Sequence, residues 1–108
     1  MTNDYKIKDL LQTLSDSQDQ RFGDKFMAYL VEGEMFALEH LGTRPLQLDI
    51  RCDRLLASKL QEEYESVMPS KDLTPRLWTT ILVTGQLEHD FIQDLLRQAV
   101  VQAQTNPA

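Results

Sequence analysis

Between Leu46 and Tyr64 the apolar residues change period without a pause, and no other stretch restricts the fold as much. Leu46, Leu48 and Ile50 alternate with Gln47, Asp49 and Arg51, the period of two expected of a strand with one buried face. Asp53 follows, a residue type whose carboxylate accepts from the first free N–H groups of a helix. Leu55, Leu56, Leu60 and Tyr64 then share one face of residues 54–64 at helical spacing. A strand that runs straight into a capped helix belongs to a mixed fold.

The rest of the chain reads in the same way. Ile7, Leu10, Leu11 and Leu14 predict an amphipathic helix over residues 4–15, started by Asn3 or Asp4. Ser15 to Gln20 is polar and reads as a loop. Phe26–Val31 and Met35–Leu38 are apolar runs flanking Glu32-Gly33, a hairpin signal. Leu41 to Pro45 connects this hairpin to the alternating strand, and residues 65–72 read as another loop. Thr74-Pro75 suits a single helical turn before the β-rich run Trp78–Val83. Phe91, Ile92, Leu95, Leu96 and Ala99 or Val100 form the inward face of a last helix over residues 88–102, and residues 103–108 read as a frayed tail. The expected order is αβββαβα. It implies an α+β domain with an antiparallel sheet of about four strands and helices packed against it.

Composition narrows the class. The 108 residues fit a single domain spanning 1–108, and 42% hydrophobic with 26% charged residues is ordinary for a globular chain. No apolar run approaches the roughly 20 residues of a membrane helix. Residues 1–9 are polar and show no secretory apolar stretch. Cys52 is the sole cysteine, so no internal disulfide forms and a cytoplasmic setting is expected. The net charge of −6 is unevenly spread. Residues 1–42 carry four basic against eight acidic side chains, and residues 61–108 three against seven. Residues 43–60 carry four basic against two acidic, a local excess of +2. A nucleic-acid binder usually shows a basic excess over a whole face.

Chemistry-bearing clusters are absent at the level of sequence. The glycines Gly23, Gly33, Gly42 and Gly85 are isolated at expected turns and form no phosphate-cradling loop. His40, His89 and Cys52 have no paired spacing, so no metal site is expected. Cys52 follows an alternating strand and reads as a small buried hydrophobe rather than a nucleophile. Glu62-Glu63 and Asp90/Asp94 read as solvated faces, the latter favoured by a helix start. Trp78 shares a strand face with Thr80 and Leu82 and reads as core, with stacking on a base as the alternative. Arg51, Arg54, Lys71 and Arg76 form the best candidate anion-binding surface, with ordinary solubilising charge as the alternative.

Three segments taken together resemble the MmcQ/YjbR family of small bacterial proteins. They are Phe22-Gly23 with Val31-Glu32-Gly33-Glu34-Met35-Phe36-Ala37-Leu38, then Leu48-Asp49-Ile50-Arg51-Cys52-Asp53, then Leu73-Thr74-Pro75-Arg76-Leu77-Trp78-Thr79-Thr80. The likeness spans residues 22–101. It implies a CyaY-like α+β fold. It also implies a DNA-binding or transcription-associated role, a label the family carries through likeness to a "double wing" fold. The family implies no cofactor and no catalytic centre. Glu34 stands where the family often has lysine, Pro75 precedes Arg76 where paired cations are common, and Leu77 replaces a frequent histidine.

The functional expectation is a non-enzymatic module without cofactor, metal or small-molecule substrate. It would contact duplex DNA weakly through Arg51, Arg54, Lys71 and Arg76, with Trp78 supporting the turn. The alternative, motivated by the net charge of −6, is a protein-interaction domain, with a homodimer as one form, that binds no nucleic acid.

Overall fold

The computed structural model describes residues 4–16 and 20–106. Its elements are α1 (Asp4–Leu14), β1 (Gln20–Phe22), β2 (Phe26–Val31), β3 (Glu34–His40), β4 (Leu46–Arg51), α2 (Arg54–Glu63), β5 (Val67–Pro69), β6 (Trp78–Val83) and α3 (His89–Thr105). The strands form one antiparallel sheet in the order β1-β2-β3-β4-β6-β5. The α+β class holds, and the sheet has six strands rather than about four. The two additions, β1 and β5, have three residues each and lie at the edges. Such strands are too short to show a period, and Pro69 is tolerated in β5 because an edge leaves its missing N–H unneeded.

Alternation in β4 sorts the two faces. Leu46, Leu48 and Ile50 point to the core, which Ile81 and Val83 of β6 and Ala37 of β3 continue. Ile7 and Leu11 of α1, Leu60 of α2, and Ile92, Leu95, Leu96, Ala99 and Ala103 of α3 cover it. On the other face Asp49 lies opposite Thr80 on one side and Leu38 on the other.

Local signals explain most boundaries. Asp53 caps α2 through its Oδ2, which accepts from the Leu56 amide at 3.2 Å. The β2–β3 turn places Glu32 at φ 51° and Gly33 at φ 80°, the doubly left-handed geometry that matches strand twist in a two-residue hairpin. Its register slips after Tyr29, which faces Ala37 while Leu30 faces Met35, so Phe36 is the extra residue of a bulge. That residue is fully buried in the core.

Several expectations need correction. Leu55 is 76% exposed and Phe91 is 36% exposed, because the inward stripes of their helices centre on Ala57 and Leu60, and on Ile92 and Leu95. Residues 103–105 are helical rather than frayed, and Ala103 is fully buried. Asp4 is the first residue of α1, not its cap. Asn3, residues 17–19 of the first loop and tail residues 107–108 lie outside the described residues.

Candidate functional site

The face of the sheet opposite the helices carries a polar cluster beside an apolar depression. Asp49 is fully buried at the centre of the cluster. Thr80 Oγ1 donates to its Oδ1 at 2.5 Å, and Ser70 Oγ donates to its Oδ2 at 3.2 Å. Ser70 Oγ also accepts from the Leu73 amide at 3.1 Å, which ties the segment after β5 to the sheet. His40, at the end of β3, brings Nε2 to 3.2 Å from Asp49 Oδ2 and 3.9 Å from Asp72 Oδ2. Its ring meets Phe26 edge-on at 5.1 Å between centroids. One ligand atom from each of His40, Asp49 and Asp72 falls within 4.8 Å of the others. A buried carboxylate costs several kcal/mol unless its lone pairs are engaged, and two hydroxyl donors offset part of that here.

Phe26, Met35, Leu38 and Leu73 line the adjoining depression, a volume of about 380 Å³ with Asp72 on its rim. Three of these residues come from β2 and β3, and Leu73 comes from the segment that Ser70 anchors.

The five residues expected to meet nucleic acid are divided. Arg54 and Arg76 are exposed and line one cleft of about 170 Å³ with Cys52, Asp53, Leu77, Gln102 and Asn106. Lys71 is exposed beside Asp72. Trp78 is buried at 6% exposure, and Arg51 is buried at 2%. Arg51 Nη2 donates to the Asn106 carbonyl at 2.5 Å, and its guanidinium carbon lies 5.8 Å from the Trp78 ring centroid. Burial pushes this guanidinium below its ordinary range, and the Glu34 carboxylate opposes the shift. Arg51 is therefore directed inward in this structure and does not face solvent.

Cys52 lines the same cleft as Arg54. Burial first, and the charge of Asp53 second, push its thiol from 9.0 up to about 11. A thiol this high holds almost no thiolate at neutral pH, and the thiolate is the nucleophile.

His40, Asp49 and Asp72 escape a reading of the sequence. They are far apart in the chain, and Asp49 looks like any polar residue on the solvent side of a strand. Only the return of the Ser70–Leu77 segment over the sheet converts that side into a semi-buried one.

No family model matches the chain, and no curated protein sequence matches it. Solved structures do resemble it. A protein of Deinococcus radiodurans, DR2400, described with a DUF419 domain, superposes with a TM-score of 0.86 at 21% identity, covering 100% of this chain and 83% of that one. The chain has a DUF419-type fold. A Pseudomonas syringae protein solved as a structural-genomics target gives a TM-score of 0.74 at 17% identity, covering 93% of this chain and 97% of that one. DUF419 is the MmcQ/YjbR family, so the fold implied by the resemblance is the fold observed. At such identities the likeness concerns the fold alone.

Proposed function

We propose that this chain is a non-catalytic protein-interaction module of the MmcQ/YjbR type, whose depression on the open sheet face receives an apolar side chain from a cationic partner segment. The observation that carries this reading is the depression itself, with Phe26, Met35, Leu38 and Leu73 as walls and Asp72 on the rim. The apolar walls supply the anchor, and Asp72 together with a net charge of −6 favours a basic segment. Strand addition at an edge is a poorer mode, because both edge strands have three residues and β5 ends in Pro69. The thiol of Cys52, pushed up to about 11, supports a non-catalytic role. Its being a lone, buried, free cysteine fits a reducing compartment such as the cytoplasm. Among the described residues no helix is long and apolar enough to cross a membrane.

Selection of peptides from a random library against the purified protein tests the reading. Binders should combine an aromatic or aliphatic anchor with Arg or Lys. They should lose affinity in Met35→Glu and in raised salt. Failure to obtain binders, or binders indifferent to Met35→Glu, would reject it.

Duplex DNA is the second reading, favoured by Arg54 and Arg76 lining one cleft. With Arg51 buried, Arg54, Arg76 and Lys71 remain to touch phosphates, and Asp53 lies among them. Three phosphate contacts give a slope of log affinity against log salt of about −2.7. Fluorescence anisotropy at low salt with no binding to duplex DNA would remove this reading.

A further inference from the structure

We propose that His40, Asp49 and Asp72 bind one divalent transition-metal ion of the zinc class. The three ligands come from β3, from β4 and from the segment after β5, so the site exists only in the folded chain. An imidazole nitrogen with two carboxylates suits zinc and its neighbours in the first transition row, whereas magnesium and calcium prefer oxygen alone.

The distances fit. A four-coordinate ion with bonds of about 2.0–2.1 Å holds its ligand atoms roughly 3.3 Å apart. His40 Nε2 and Asp49 Oδ2 are 3.2 Å apart, and His40 Nε2 and Asp72 Oδ2 are 3.9 Å apart. The Asp72 side chain is 50% exposed and its oxygen lies within 4.8 Å of the Asp49 oxygen, so an inward rotation of this one side chain would complete the geometry. Asp49 cannot move as freely, and it has no need to. The Ser70 and Thr80 hydroxyls hold one carboxylate oxygen each, the outer support that orients a metal ligand.

The polar accounting points the same way. Among the described residues the buried His40 Nε2 finds no hydrogen-bond partner, although Asp49 Oδ2 lies 3.2 Å from it. Two carboxylates converge on that nitrogen, and one of them, on Asp49, is fully buried. A divalent ion would take up the unpartnered nitrogen together with an oxygen from each carboxylate. The ion would pin the Ser70–Leu77 segment to the sheet and leave one coordination position for water or a partner's side chain.

Titration calorimetry of zinc into chelator-stripped protein is the test, with cobalt absorption as a readout of a nitrogen–oxygen coordination sphere. One ion should bind per chain, and the affinity should fall on acidification, since binding needs unprotonated ligands. His40→Ala and Asp72→Asn should each weaken binding by at least about tenfold, and zinc should raise the thermal midpoint of the wild type but not of Asp72→Asn. If His40→Ala fails to fold, Asp72→Asn decides alone, because that side chain is half exposed. Absence of saturable binding, or equal affinity in wild type and Asp72→Asn, overturns the assignment. Because Asp72 belongs to both sites, the peptide selection is run on chelator-stripped protein and read through Met35→Glu, which leaves the three metal ligands untouched.

Discussion

Glu39 is 4% exposed and has two polar partners. The Tyr29 hydroxyl donates to its Oε1 at 2.8 Å, and Lys8 Nζ lies 3.2 Å from Oε2. These partners are unequal. The tyrosine bond is buried, whereas Lys8 is 50% exposed and its ion pair is screened by water. Tyr29→Phe should cost about 1–3 kcal/mol, because a buried acceptor loses its donor. Lys8→Ala should cost less than about 1 kcal/mol. Urea unfolding of the two variants would check the ranking, and equal losses would contradict it. Cys52 supplies a second test at this scale. Its thiol titrates at about 11 in the folded chain, against an ordinary 9.0 when unfolded. Between those values the unfolded chain has released the proton and the folded chain still holds it. Stability from this group is therefore complete below pH 9 and is lost as the pH rises to about 11. Urea midpoints measured across that window should fall more steeply in the wild type than in Cys52→Ala.

Elements are governed by local chemistry where the signal is dense. The β2–β3 hairpin depends on Gly33 at φ 80°, where a Cβ would meet nothing within 4 Å. The cost of Gly33→Ala is then purely conformational, about 1–2 kcal/mol, and a thermal melt should show it without any change in fold. The strand over Leu46–Arg51 and the cap at Asp53 were legible for the same reason: their determinants lie within a few residues of one another. The three-residue strands β1 and β5 were not, because they owe their existence to a neighbouring strand's unpaired edge. Leu55 and Phe91 mislead a periodic reading because a helix face is set by what it packs against.

At the scale of the molecule, helices cover one face of the sheet, and the irregular segment after β5 partly covers the other. Stability should be graded accordingly. Amides of β3 and β4, central in the strand order, should exchange with solvent most slowly, and those of the edge strands β1 and β5 fastest. Hydrogen exchange read by mass spectrometry or NMR tests this order, and slow exchange at β1 would contradict it.

The amino-acid sequence by itself determined the mixed class, the principal strands and helices, and the acidic balance. Each of these follows from residues near one another in the chain or from simple counts. Tertiary structure alone decided which charges face water. Arg51 alternates with apolar residues like a solvent-side cation, yet it ends at 2% exposure against Trp78 and Asn106. Asp49 reads as equally ordinary and ends fully buried among His40, Ser70, Thr80 and Asp72. A strand's alternation states which residues share a face. What covers that face depends on segments tens of residues away, and no local pattern encodes their return.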